Sequence, residues 1–305
     1  MMTFNEFMAT FPDETSCRQF LVDRRWPDGV KCPRCGNDHV YSSKARPFHW
    51  QCTKCGPGPR KPYRFSVLVA TVFENTNVPL LTWFKVLYTM LQSKKGVSSL
   101  QLRRTFFGER SSMRTAWYVC HRLRAGMRDD GFKKLMGIVE VDETFIGGKD
   151  ANRHWNKKSH ATGGIASGKV GVIGAISRKG NIVAKVIENT DAATLSGFVN
   201  DVVSDKVDLV ATDEAKGYEP IEQAGWALGR PALPHGTVKH SEGEYVRGEV
   251  HTNDLESFWS LLKRGVIGTF HHVSKKYLPL YLNEFSFRHN HRKDEDIFGA
   301  AVATC

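Results

Sequence analysis

Four cysteines and three acids carry the chemistry most directly legible in this chain. Cys32, Cys35, Cys52 and Cys55 form two C-x2-C knuckles, each followed by a glycine, Gly36 or Gly56. Glycine lets the backbone turn tightly enough for both sulfurs of a knuckle to face one ion. Four thiolates at this spacing suit a tetrahedral Zn²⁺ and leave no open position for water, which makes the expected zinc structural. The acids are Asp142 in "VEVDETF", Asp213 in "VATDEAK" and Glu256 in "HTNDLESFWSLLKR". Three carboxylates brought close raise one another's pKa unless cations sit among them. Their hard oxygens suit Mg²⁺ or Mn²⁺, and two such ions about 3.5–4 Å apart serve in-line displacement at phosphorus. Rival acids stand near each: Glu140 and Glu143 beside Asp142, Asp208 and Glu214 beside Asp213. Strand alternation puts 140 and 142 on one face and 143 on the other.

Residues 251–264 predict an amphipathic helix. Leu255, Phe258, Trp259 and Leu262 make its apolar stripe, and Asn253, Glu256, Ser260 and Lys263 collect opposite. Glu256 and Lys263 share a face two turns apart, about 10 Å along the axis, which is too far for a four-apart ion pair. Both could instead point at the same object outside the helix. His240, His251, His271 and His272 flank this helix. DNA contact, proton handling and simple packing are all open to each.

The elements that must position these residues fall into three expected domains. Residues 1–66 hold a helix over about 5–25, then the cysteine ribbon and a Pro/Gly-rich basic loop at 57–64. Residues 67–136 read as helical from about 80 to 127, with Ser98 or Ser99 and Ser111 or Ser112 as caps around a tight link at "FGER": a helix-turn-helix. Arg114, Arg122, Arg124 and Arg128 are expected to line its last helix toward DNA. Residues 137–305 change texture to strand, hairpin, helix, strand and helix, an α/β pattern with a mixed sheet, interrupted by a basic insert at about 147–169. The overall expectation is a multidomain α/β protein.

Charge supports that division. The net is +11, yet residues 1–136 carry 23 Lys/Arg against 10 Asp/Glu and residues 137–305 carry 20 against 22. The excess sits wholly at the front, as expected of a polyanion-binding end on a nearly neutral body. No apolar run approaches the ~18 residues of a membrane span, so a cytoplasmic protein is expected.

The motifs "RWPDGVKCPRCG", "KKGVSSLQLRRTF", "VEVDETFIGGK", "TDEAKGY" and "HTNDLESFWSLLKRGVIGTFHHVSKKYL", with "FRHN" beyond, resemble the ISXO2-like insertion-sequence transposases of the DDE superfamily. The resemblance runs from about residue 4 to 300. It implies a zinc ribbon ahead of a ribonuclease-H-like catalytic core, in a prokaryotic protein. It implies metal ligation by Asp142, Asp213 and Glu256, and a phosphate or transferred-strand contact by Lys263. The group varies at the third ligand between asparagine and glutamate; this chain has both Asn253 and Glu256, and charge favours Glu256, with Asn253 orienting a water or a neighbouring ligand. The chain departs from the pattern after the second knuckle, where the basic loop replaces a compact segment. The implied activity is cleavage of element ends and joining of their 3′ ends to target DNA. Implied partners are double-stranded DNA, as terminal inverted repeats and target, and further copies of the chain, at least a dimer on DNA. Two other readings are a zinc-ribbon, helix-turn-helix regulator and a metal-dependent nuclease without strand transfer.

Overall fold

The computed structural model describes residues 2–56, 61–108, 111–128, 133–148, 152, 154–158, 164–218, 221, 232–239, 242–244 and 246–305. The chain forms two compact bodies: Met1–Ser93 with Val97–Arg128 and Arg292–Cys305, and Lys94–Gly96 with Asp129–His291.

In the first body the single helix expected over 5–25 is two, α1 (Phe4–Thr10) and α2 (Glu14–Arg25). Pro12 cannot continue a helix, and a capping box starts each piece: Thr3 with Glu6, and Asp13 with Ser16. The ribbon is a three-stranded antiparallel sheet, β1 (Tyr41–Ser42), β2 (His49–Cys52) and β3 (Tyr63–Ser66). Tyr63 and Arg64 therefore belong to a strand rather than to the expected basic loop, whose residues 57–60 lie outside the described residues. Helix α3 (Leu80–Gln92) follows, then α4 (Ser99–Leu102) running into a π turn at Arg103–Phe107, then α5 (Met113–Gly126). Ser98 and Ser112 are the caps. Of the "FGER" link, residues 109 and 110 lie outside the described residues.

The second body is built on a five-stranded mixed sheet. Its strands are β4 (Ile138–Ile146), β5 (Val170–Ser177), β6 (Ile182–Ile187), β7 (Leu209–Asp213) and β8 (His235–Val238), in the order β6-β5-β4-β7-β8. β4, β5 and β6 pair antiparallel, while β4, β7 and β8 pair parallel. The alternation legible in "VEVDETF" sorts side chains to two faces. On one, Val139, Val141, Ile173 and Ala175 pack against Leu195, Phe198 and Val199 of α6 (Ala192–Val202). On the other, Ile146, Val172 and Ile176 pack against Leu255, Phe258, Trp259 and Leu262 of α7 (Asn253–Arg264) and Leu282 and Phe285 of α8 (Leu278–Asn290). A π turn at Gly265–Thr269 extends α7. The basic insert is described only in part, with short 3-10 turns at Trp155–Lys157 and Ile165–Ser167.

The expected catalytic domain ran to residue 305, but the compact body ends at His291. Helix α9 (Ile297–Thr304) packs with the first body, where Phe298 joins Phe7, Phe11, Phe20 and Phe84 in a ring cluster with centroids 5.3–6.0 Å apart. Among the described residues no helix is long and apolar enough to cross a membrane.

Candidate active site

Strand β4 delivers acids to both faces of the sheet. Glu140 and Asp142 face α7, as alternation predicts: Glu140 Oε2 accepts from the backbone N–H groups of Asp254 and Leu255 at 2.9 and 3.2 Å, and Asp142 Oδ2 accepts from Trp259 Nε1–H at 3.1 Å. Glu143 faces the other way and accepts from the Tyr218 hydroxyl. The parallel ladder pairs Ile138 with Leu209, Val139 with Val210 and Glu140 with Ala211. The ladder ends there, two residues short of Asp142 on β4 and of Asp213 on β7, and the two acids are near enough for the charge of one to act on the other. Asp213 closes β7, and its Oδ1 accepts from the Ala215 N–H at 3.1 Å.

Helix α7 brings in Glu256, which accepts from the Thr252 hydroxyl at 3.2 Å. Burial, then the charge of Asp213, then those of Glu143 and Glu256, push the Asp142 carboxyl up to about 7. Burial, set against the pull of the Tyr218 hydroxyl, also raises Glu143, with Asp213 adding to the rise. Four carboxylates thus repel one another in a part-buried corner. Clustered carboxylates offer a set of hard oxygen donors, and such a set fits divalent cations.

A groove of about 870 Å³ opens over this corner, lined by Asp142, Glu143, Glu256 and Trp259 and by the basic Lys95, Lys263 and Arg264. Asn253 is exposed on the first turn of α7 and does not line the groove. Asp208 and Glu214 are likewise exposed outside it. His251 is engaged with Glu140, Nδ1 to Oε1 at 3.1 Å, which favours packing over DNA contact; His271 and His272 are exposed, and His240 lies outside the described residues.

Three participants escaped the sequence reading. Trp259 counted only as apolar stripe, yet its indole N–H holds Asp142. Gly174 stands opposite Asp142 in the β4–β5 ladder, and a Cβ there would fall 2.7 Å from Trp259 Cζ2, so only glycine lets the indole lie across the sheet. Glu140 counted as a rival ligand but is fully buried as the anchor of α7. Burial raises its pKa, against the lowering pull of the Leu255 amide. The N-cap residue Thr252 makes no side-chain cap, so this carboxylate from the neighbouring strand meets the helix's orphan N–H groups instead. An acid two positions before Asp142 was the available signal.

In the first body the four cysteines converge. Their sulfurs lie within 4.8 Å of one another, with Cys32–Cys55 and Cys35–Cys52 both at 3.8 Å. A tetrahedral zinc with bonds of about 2.3 Å has sulfur–sulfur edges of about 3.8 Å, so the thiolates fit the ion. The expected arginine face of α5 needs correction. Arg124 is fully buried, and Arg122 folds back to donate to the Glu74 and Thr71 carbonyls and lies over Trp83, so neither guanidinium is presented to DNA. Arg114 and Arg128 are exposed.

The sequence profile of the ISXO2-like transposase domain matches residues 134–290, just over half the chain. The chain belongs to this family. A transposase zinc-ribbon domain profile matches residues 12–57 of this ISXO2-like chain. An uncharacterized protein in transposable element ISH50 of Halobacterium salinarum is 28% identical over 293 residues, covering 92% of each chain. The four thiolates accordingly form the structural zinc site of a transposase ribbon, and Asp142, Asp213 and Glu256 all fall within the matched transposase domain.

Proposed function

We propose that the chain is a DNA transposase that cleaves phosphodiesters at element ends and joins the freed 3′ ends to target DNA. The observation that carries this reading is the corner itself. Asp142 and Asp213 lie on adjacent parallel strands and act on each other by charge, and Asp142 is held by a tryptophan from the helix that bears Glu256, above a groove that also carries Lys263. The strand order, three antiparallel and then parallel, supports a ribonuclease-H-like core.

Asp142, Asp213 and Glu256 would hold two Mg²⁺ or Mn²⁺ ions. Glu256 is preferred to Asn253 because it lines the groove and carries charge. When bound, such ions stabilise the charge of an attacking and a departing oxygen at phosphorus. The protein's part is to place the strand. Trp259 fixes the Asp142 carboxylate, Glu140 fixes the start of α7, and Lys263 meets a backbone phosphate. In the first step water attacks the phosphorus at the element end, the P–O3′ bond breaks, and a 3′-hydroxyl leaves. In the second, that hydroxyl loses its proton and attacks a target phosphodiester, whose own 3′ oxygen departs. Both steps are in-line displacements, so one site serves both without a covalent protein intermediate.

The ribbon and the α4–α5 region, read as a helix-turn-helix, would bind the terminal repeats, with Arg114 on phosphate in place of the buried Arg124. Two ends handled together require at least a dimer on DNA. The test is cleavage of labelled element-end DNA and joining of a pre-cut end into plasmid, comparing the parent with Asp142→Ala, Asp213→Ala and Glu256→Ala. Each variant should abolish both products. Unchanged cleavage removes that residue from the site, and cleavage without joining reduces the enzyme to a nuclease.

A further inference from the structure

The tripeptide Lys94–Gly96, just after α3, has so far found no role. It groups with the sheet-bearing body, although the helices on either side group with the other. Two glycines show how closely this tripeptide is seated there. Gly96 has φ +80°, and a Cβ on it would fall 2.5 Å from Phe270 Cζ and 3.4 Å from Glu284 Oε1. Gly265, where α7 passes into its π turn, would place a Cβ 2.8 Å from the Lys95 carbonyl oxygen and 2.6 Å from Phe285 Cζ. The backbone of Lys95 is thus pressed against the end of the helix that carries Glu256 and Lys263.

With its backbone held, the exposed Lys95 side chain lines the same groove as Asp142, Glu143, Glu256 and Lys263. Among the described residues neither Lys95 nor Lys263 forms an ion pair, although acids share their groove. The two ammonium groups are thus available to an anion that enters the groove. A strand of DNA supplies that anion at every nucleotide.

We propose that Lys95 is a phosphodiester-binding residue of the groove, holding with Lys263 the backbone of the DNA strand that lies over the carboxylates. This rests on the transposase reading above. The seating of Gly96 and Gly265 is what makes a lysine from outside the α/β sequence region part of the site.

The test measures binding of a fluorescent element-end duplex by anisotropy between 50 and 200 mM salt, for the full-length parent, Lys95→Ala, Lys95→Arg and Lys94→Ala. Lys94 is exposed and does not line the groove. One phosphate contact contributes about 0.9 to the slope of log affinity against log salt. Lys95→Ala should lower the slope by about that amount, while Lys95→Arg and Lys94→Ala keep the parental value. A duplex with one neutral methylphosphonate near the scissile bond should weaken binding by the parent and leave Lys95→Ala no weaker than on the unmodified duplex. A parental slope in Lys95→Ala, or an equal loss in Lys94→Ala, overturns the proposal. A parent that binds DNA yet never cuts it overturns the transposase reading instead, and the binding arm still reports on Lys95.

Discussion

Replacing Glu140 tests how the two halves of the acidic corner are joined. Its carboxylate is fully buried between β4 and the start of α7. Oε2 accepts the Asp254 and Leu255 N–H groups, and Oε1 meets Arg178 at 3.4 Å and His251 at 3.1 Å. Glu140→Ala removes a cap worth about 1 kcal/mol and leaves the mostly buried Arg178 without its carboxylate; losing one member of such a pair costs about 3–5 kcal/mol. These effects share one side chain and do not add, so about 3–5 kcal/mol is the expected total. Glu140→Gln keeps a carbonyl acceptor and should cost about 1–2 kcal/mol. The assay is hydrogen exchange of peptides spanning 250–258 in the intact protein, beside urea unfolding. A loss of 3 kcal/mol in local opening accelerates exchange by about a hundredfold at the Asp254 and Leu255 amides. Cleavage should fall with it, because Glu256 rides on the same turn, and Glu140→Gln should recover part of both. Parental exchange at these amides in Glu140→Ala would refute the claim that a strand carboxylate anchors the helix.

Three further outcomes follow from single contacts. Gly174→Ala drives a methyl into the Trp259 indole and 3.2 Å from Leu255 Cδ1; a loss of about 1–3 kcal/mol and a drop in cleavage are expected, and an unchanged melting curve would contradict the close approach. In the zinc-loaded chain Cys17 and Cys305, both held at about 12 by burial with Glu14 adding to it at Cys17, should resist a thiol reagent at pH 8, where about one in ten thousand is thiolate. A chelator should then unmask Cys32, Cys35, Cys52 and Cys55 and unfold the ribbon, as read by thiol counting and circular dichroism; uniform reactivity of all seven before chelation would count against the site. Arg124→Ala should destabilise by about 2–4 kcal/mol, because it empties a buried volume. Arg114→Ala should weaken DNA binding at unchanged stability, and the reverse pattern would restore the original arginine face.

Much of the fold follows from local spacing. The knuckles, the alternating β4 segment, the hairpin at 177–181 and the stripe of α7 are written in periods of two and 3.6, which describe geometry over a few residues. The break between α1 and α2 was equally local, since Pro12 and the Asp13 cap sit in plain view, but the apolar positions on either side suggested one continuous helix. Identifying Asp142, Asp213 and Glu256 needed motif resemblance as well, because each has acidic neighbours of equal chemistry.

The sequence by itself determined which residue types were available and the local turn or face each one occupies: four thiolates on two knuckles, an acid on a strand, an acid at a strand end, an acid and a lysine on one helix face. Only the tertiary structure decided which of several acids meet. It turned Glu140 from a candidate ligand into a helix anchor, buried Arg124, sent the last helix to the other body and delivered Lys95 to the groove. The reason is that backbone periodicity acts over one or two turns, whereas these assignments depend on register between strands and on van der Waals contact at individual glycines such as Gly174 and Gly265, between segments tens to more than a hundred residues apart.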